Sequence, residues 1–145
     1  VTQIKKILLK LWPDKNPEKP YVVCTGGEPL LQLDEELIKE IHEIGFEIGL
    51  ETNGTLLPPS GIDWICVSPK AKTDLILTSG NELKFVYPQI SLNPKKYEKL
   101  DFDYFFIQPM DGINQNINIK KSKEFIMKNP QWSLSLQTHK IMGIP

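Results

Sequence analysis

Short apolar segments alternate with helical patterns or long connections along this chain, and this alternation restricts the fold more than any other feature of the sequence. Strands are predicted over residues 21–25, 46–51, 64–67, 82–86, 104–107 and 133–136. Strands separated in this way pair in parallel through right-handed crossovers. The sequence therefore predicts an α/β fold with a mainly parallel sheet.

Three segments carry apolar residues at helical spacing. The first begins at Ile4, has lysines between its apolar positions, and ends at Pro13. The second begins at the N-cap Asp34 and ends at Gly45, and the third is a lysine-rich segment over residues 119–128. Because the chain opens in a helix with no strand before it, we expect sequence to be missing upstream.

Length and composition limit the classes of protein to which the chain can belong. With 145 residues, 40% of them hydrophobic, we expect one domain spanning residues 1–145. The net charge is −1 and all 17 basic residues are lysine. The sequence therefore has no basic stripe and no arginine with which to bind nucleic acid directly. Two distant cysteines, without an apolar leader or a long hydrophobic span, predict a cytoplasmic protein with no membrane role.

Polar groups follow five of the predicted strands at the point where each strand ends. They occupy residues 25–28, 51–55, 68–70, 108–111 and 137–140. Any one of these groups is typical of a turn. In a parallel sheet, however, ligands bind outside the carboxyl ends of the strands. Five such groups at one edge therefore predict a binding site.

The first of these groups is Thr25-Gly26-Gly27-Glu28-Pro29. Glycines permit close approach of a ligand to the backbone, and carbonyl oxygens with one carboxylate complement the three N–H donors of an ammonium group. The motif therefore favours binding of a small cationic amine. The alternative for Glu28 is a solvated loop acid.

A family resemblance is carried by the segments TGGEPLLQ, ETNGT, VSPKA, ELKFV, FIQPMDG and LQTHKIMGIP. In this order, over residues 21–145, they resemble the 7-carboxy-7-deazaguanine synthase family of radical S-adenosylmethionine enzymes. The resemblance implies an incomplete (β/α) barrel, of which this chain is the C-terminal part. It also implies radical ring contraction of 6-carboxy-5,6,7,8-tetrahydropterin to 7-carboxy-7-deazaguanine with loss of ammonia, in queuosine biosynthesis for tRNA modification. The implied cofactors are S-adenosylmethionine, a [4Fe-4S] cluster and Mg²⁺, and the implied partners are a second copy, as a homodimer, and an external electron donor.

Site residues follow from the same resemblance. Those expected to bind the cofactor S-adenosylmethionine are Gly26, Gly27, Glu28, Thr52, Asn53, Ser68, Lys70 and Gln108. Those expected to bind the carboxytetrahydropterin substrate are Thr25, Glu51, Gln137, His139 and Pro145, the last through its terminal carboxylate. The resemblance makes His139 the candidate catalytic proton carrier. Two alternatives stay open: the 53–54 dipeptide is equally typical of a turn, and a lysine such as Lys70 is ordinarily a solvated surface charge.

The sequence departs from the family where the iron-sulfur cluster is bound. The family has three cluster cysteines in an N-terminal loop, with a threonine beside the last one that is linked to magnesium, whereas this chain has only Cys24 and Cys66. Both lie in predicted strands and are interpreted as small buried hydrophobic residues, so no metal ligand is assigned. We expect the chain alone to lack radical activity. The alternatives are an activating enzyme of the glycyl-radical type and a non-catalytic module that binds S-adenosylmethionine or a pterin. His42 is expected to be an exposed structural residue.

Overall fold

The computed structural model describes residues 2–12 and 18–143, which form a six-stranded sheet with helices. Neighbouring strands are all parallel, and they lie in the sheet in the order in which they occur along the chain. The strands are β1 Tyr21–Cys24, β2 Glu47–Thr52, β3 Trp64–Val67, β4 Ser79–Tyr87, β5 Asp101–Pro109 and β6 Ser133–Leu134. The predicted parallel α/β fold is confirmed, and the carboxyl ends of all six strands meet at one edge.

The helices are α1 Thr2–Leu11, α2 Glu35–Glu43, α3 Gln115–Lys128 and α4 Thr138–Ile141, with 3₁₀ turns at Pro29–Leu31 and Pro94–Tyr97. Asp34 caps α2 as predicted, because its Oδ1 accepts a hydrogen bond from the Leu37 backbone N–H at 2.8 Å. Pro13, which was expected to end the first helix, lies outside the described residues. In the described part of the chain, no helix has the length and apolar character needed to cross a membrane.

Helices α2 and α3 cover the same face of the sheet. Successive side chains of a strand point to opposite faces, and Ile48 and Leu50 of β2 are fully buried against Ile38 and Ile41 of α2. A second cluster, around β4 and β5, packs against α3 and contains the fully buried Trp132. The apolar core therefore lies between the sheet and these helices.

The opposite face of the sheet, here called the open face, carries polar side chains toward the carboxyl ends of the strands. Glu51 of β2 and Lys84 of β4 belong to this face, and a hydrogen bond joins their side chains. Cys66 of β3 belongs to the same face, since it is the register partner of Glu51 on one side and of Glu82 on the other. The site described next is built on the open face.

Several element bounds differ from those predicted. Strand β4 was predicted over 82–86 and β5 over 104–107, but both begin three residues earlier and extend to residues 87 and 109. The residues added at the start include Gly80 and Asp103, which have low strand propensity. They are extended because β4 and β5 pair in parallel from Ser79 and Asp101 onward. Helix α3 begins at residue 115 rather than 119, and α4 was not predicted.

Candidate functional site

Ten of the thirteen predicted site residues line one cavity of about 420 Å³ at the carboxyl edge of the sheet. They are Thr25, Gly26, Gly27, Glu51, Thr52, Asn53, Ser68, Lys70, Gln108 and Gln137. This volume is within the range of pockets that hold small organic ligands. The parallel topology accounts for the convergence, because every one of these residues lies at or just beyond the end of a strand.

The loop after β1 forms an open wall of the cavity. Gly26 has a φ of +117°, a conformation that side chains rarely adopt, and a Cβ built on either Gly26 or Gly27 meets no atom within 4 Å. Both glycines are exposed. The space beside this backbone is therefore free for a ligand that approaches closely, as a cation seeking carbonyl oxygens does.

The carboxylate of Glu28 joins this loop to the end of β2. Its Oε1 accepts hydrogen bonds from Thr52 Oγ1 at 2.7 Å and from the Leu30 backbone N–H at 3.2 Å, and its Oε2 accepts one from the Asn53 backbone N–H at 2.9 Å. Glu28 is half-buried and does not line the cavity. In this structure Glu28 holds together the loop after β1 and the turn after β2, and residues of both line the cavity.

Residues 52–55 form a tight turn at the end of β2. Thr52 is 3% exposed, and its hydroxyl, besides donating to Glu28, accepts a hydrogen bond from the Gly54 backbone N–H at 3.1 Å. Asn53 Oδ1 accepts a hydrogen bond from the Thr55 backbone N–H at 2.8 Å. The turn chemistry suggested by the sequence is thus present, and the same residues line the cavity.

Glu51 is held between two donors on the open face. Lys84 Nζ donates to Glu51 Oε1 at 2.5 Å, and Thr25 Oγ1 donates to Glu51 Oε2 at 3.4 Å. The Lys84 side chain is 18% exposed and that of Glu51 is 42% exposed. Burial alone would lower the pKa of Lys84, but the hydrogen bond to the Glu51 carboxylate and the negative charge of that carboxylate oppose burial, and the pKa is raised. Lys84 is therefore a protonated cation beside the cavity.

The remaining side chains close the cavity on the β3, β5 and β6 sides. Lys70 donates to Ser68 Oγ at 3.1 Å and is exposed, so the predicted surface position of this lysine is compatible with its place in the cavity wall. Gln108 and Gln137 line the opposite side. The His139 backbone lies in α4, directly after Gln137; its side chain and all of Pro145 lie outside what the structure describes.

The cysteines do not form a ligand set. Cys66 is buried and Cys24 is half-buried, each within a strand, so the predicted burial is complete for Cys66 and partial for Cys24. Burial raises the pKa of the Cys66 thiol to about 12 despite the opposing effect of Lys84. Among the residues that the structure describes, no group of three or more His, Cys, Asp or Glu side chains could hold a metal ion.

His42 has the exposed, structural position that was expected of it. His42 is exposed, and its Nε2 lies 3.0 Å from Asp63 Oδ2, which also accepts a hydrogen bond from the Ile48 backbone N–H. This contact joins α2 to the sheet, and none of these three residues lines the cavity.

The sequence interpretation missed four residues that line the cavity, namely Lys84, Val86, Ser135 and Leu136. Lys84 was not predicted because it lies inside a strand, whereas the predicted site residues were chosen at the ends of strands. The alternation of charged and apolar residues in Glu82-Leu83-Lys84-Phe85 could have indicated that Lys84 faces the cavity side of the sheet. Leu83 and Phe85 are fully buried, and the charged residues between them must face the other side of the sheet.

A parallel sheet with a polar cavity at its carboxyl edge places this chain among the α/β proteins, and this edge is where such sheets bind ligands. Comparison with known proteins then identifies the family. The chain is 51% identical over 131 residues to the 7-carboxy-7-deazaguanine synthase of Bordetella pertussis, which covers 90% of this chain and 62% of the relative. It is 52% identical over 135 residues to that of Burkholderia multivorans, with 93% and 64% covered. The match to that of Buchnera aphidicola is 34% over 157 residues, with 97% and 67% covered.

The chain belongs to the 7-carboxy-7-deazaguanine synthase family. It spans about three fifths of the length of the first two of these relatives. No protein-family model matches it.

Proposed function

We propose that this chain provides the S-adenosylmethionine-binding and pterin-binding surface of a radical 7-carboxy-7-deazaguanine synthase. The reaction proposed for the whole protein is the ring contraction of 6-carboxy-5,6,7,8-tetrahydropterin to 7-carboxy-7-deazaguanine with loss of ammonia, a carbon-nitrogen lyase step in queuosine biosynthesis. The observation that carries the proposal is the convergence of ten predicted ligand-binding residues on one cavity. The names of the relatives support the choice of reaction.

The residues present fit S-adenosylmethionine. The unobstructed backbone at Gly26 and Gly27 offers carbonyl oxygens to the ammonium group of the cofactor. Lys70, Asn53 and Gln108 all line the cavity. We expect Lys70 to meet the carboxylate of the cofactor, and Asn53 or Gln108 to accept or donate hydrogen bonds at its ribose or base. Glu28 contributes by fixing the loops around that position, in addition to any direct contact that it makes.

The substrate is proposed to lie beside the cofactor, against Glu51. The ring of a pterin presents adjacent N–H donors, and a carboxylate is the acceptor that complements them. Thr25 and Gln137 flank the same cavity. His139 is proposed as the proton carrier, and Pro145 as a further substrate contact. The chain's own residues thus bind, orient and exclude water, while the bound cofactor supplies the radical chemistry.

The described residues do not fit an iron-sulfur cluster or Mg²⁺. Cluster binding needs clustered thiolates, whereas the two cysteines lie in separate strands and the Cys66 thiol stays protonated. We therefore propose no step of the reaction on this chain alone. For the whole protein we propose a partial (β/α) barrel, of which residues 1–145 form the C-terminal part in one domain, a homodimeric state, an external electron donor and a cytoplasmic location.

Calorimetric titration of the purified chain with S-adenosylmethionine and with 6-carboxypterin, a stable oxidised analogue of the substrate, tests the proposal. We expect saturable binding of both ligands. The variant Gly27→Val, which fills the open wall, should bind S-adenosylmethionine more weakly. The absence of binding to either ligand would contradict it. The control variant Gly112→Val changes an exposed glycine outside the cavity whose Cβ also meets no atom within 4 Å. Because Gly112 has a φ of +117°, which strains a residue with a side chain, thermal unfolding is used to show that this variant folds.

A second candidate function is a non-catalytic module that binds the same ligands. It is favoured by the one observation that no cluster-type ligand set occurs among the described residues. Incubation of the chain with iron, sulfide and a reductant, followed by assay for 5′-deoxyadenosine, tests the premise that both roles share, namely that this chain by itself holds no competent cluster. We expect none to form; robust formation would show that the chain itself holds a competent cluster.

A further inference from the structure

The charged pair Glu51 and Lys84 is a part of the site that the predicted ligand contacts do not explain. Glu51 extends from β2 and Lys84 from β4, so the lysine side chain must cross the intervening strand β3 to reach the carboxylate. On the way it contacts the side chain of Cys66, the β3 residue that is in register with Glu51 of β2 and Glu82 of β4. A thiol is small, and it leaves room for the lysine stem where a larger side chain would fill it.

Burial makes this contact more than a surface ion pair. The side chain of Lys84 is 18% exposed, whereas that of Lys19, which pairs with Glu47 at the opposite end of β2, is 64% exposed. A cation so far removed from water needs its partner, and in turn it restricts where the Glu51 carboxylate can lie. The hydroxyl of Thr25 approaches the second carboxylate oxygen from the other side at 3.4 Å.

The geometry leaves Glu51 with one oxygen engaged by Lys84 and the other held by a single long contact, the 3.4 Å hydrogen bond from the Thr25 hydroxyl. Both residues line the cavity, and the Glu51 side chain remains 42% exposed. A free glutamate has several rotamers, most of which would turn the carboxylate away from a ligand. A carboxylate held in place before the ligand arrives binds it without that ordering cost.

We propose that Lys84 is a positioning residue that holds the Glu51 carboxylate, across Cys66, in the orientation that accepts N–H donors of a pterin ring. This inference rests on the proposed function, since it names how one wall of that site is kept ready for the substrate. Lys84 acts through Glu51, so it is expected to affect pterin binding much more than S-adenosylmethionine binding.

The test is a double-mutant cycle on ligand affinity in the full 145-residue chain. Wild type, Lys84→Met, Glu51→Gln and the double variant are titrated with 6-carboxypterin and, separately, with S-adenosylmethionine. Methionine keeps the length and apolar stem of lysine but removes the charge. Lys99→Met, an exposed lysine near the amino end of β5 and outside the cavity lining, is the matched control. Thermal unfolding of each variant shows whether it folds.

We expect Lys84→Met to weaken 6-carboxypterin binding by about tenfold or more and S-adenosylmethionine binding by less than about twofold. In the Glu51→Gln background the same substitution should change pterin affinity by less than about twofold, because the group through which it acts is gone. Lys99→Met should leave both affinities unchanged.

Three results would overturn the inference. If wild type and Lys84→Met bind 6-carboxypterin equally, the positioning role of Lys84 is wrong, while the proposed function is unaffected. Loss of affinity that is the same in the wild-type and Glu51→Gln backgrounds shows that Lys84 does not act through Glu51. Failure of the wild-type chain to bind either ligand removes the proposed function and this inference together, so the two failures are distinguishable.

Discussion

Substitution of Gly54 by alanine tests how tightly the turn after β2 is packed beneath the cavity. Gly54 is buried and has a φ of +78°. Its carbonyl oxygen accepts hydrogen bonds from the backbone N–H groups of Ile76 and Leu77, at 2.8 Å and 3.0 Å. A Cβ at this position would lie 2.5 Å from Leu75 Cδ1 and 2.8 Å from Val67 Cγ1. Two separate costs therefore apply to Gly54→Ala.

The first cost is conformational, since a left-handed backbone costs a non-glycine residue about 1–2 kcal/mol. The second is overpacking, which costs about 1–3 kcal/mol in a close-packed interior. Gly45→Ala is the matched control because Gly45 has a similar φ of +85° but a Cβ there meets nothing within 4 Å. The gain from stiffening the unfolded chain is common to both variants and cancels in their difference.

Urea denaturation followed by circular dichroism measures both free energies of unfolding. We expect a loss of about 2–5 kcal/mol for Gly54→Ala and of about 1–2 kcal/mol for Gly45→Ala. The Gly54 variant should also lose ligand affinity, because the adjoining Asn53 lines the cavity. Equal destabilisation by the two substitutions would refute the reasoning, since it would show that Leu75 and Val67 do not confine the turn.

Three further predictions concern the loops, the helix contact and the buried thiol. Glu28→Gln removes one of the two acceptor oxygens that join the loops, so urea denaturation should show a loss of about 1–3 kcal/mol; an unchanged midpoint would contradict this. Burial would raise the pKa of Asp63, but hydrogen bonds from Ile48 and His42 lower it. The stability from Asp63 is therefore present above about pH 4 and lost on acidification through the lower folded-state pKa, and Asp63→Asn should flatten the acid limb of melting temperature against pH. With a pKa of about 12, the Cys66 thiol should resist Ellman's reagent at pH 8 in the folded chain and react when the chain is unfolded in urea. Fast labelling of both thiols in the folded chain would contradict the burial of Cys66.

The parallel sheet was predictable because apolar runs such as the one in β3 are continuous and sharply bounded. Strand β3 has the predicted limits, Trp64–Val67. The starts of β4 and β5 were not predictable from local propensity, because residues such as Gly80 disfavour strands and are extended only through pairing with the neighbouring strand. Helix α4, with four residues, is too short to show a helical period.

The site was predictable to the extent that its residues follow strands. A search of strand ends found Thr25, Asn53 and Gln137, because topology alone brings strand ends together. It missed Lys84, whose position depends on side-chain alternation within a strand. It also could not foresee that the Glu28 carboxylate accepts three hydrogen bonds from within the protein, since that depends on how two loops meet.

The central claim is that the carboxyl edge of this sheet holds S-adenosylmethionine. Titration of the ¹⁵N-labelled chain with S-adenosylmethionine, followed by two-dimensional NMR, tests it most directly. We expect saturable shifts of the backbone amide signals of Gly26, Gly27, Asn53 and Gln108, with little change in α2. Shifts that cluster on α2 or α3, or no shifts at saturating ligand concentration, would contradict it.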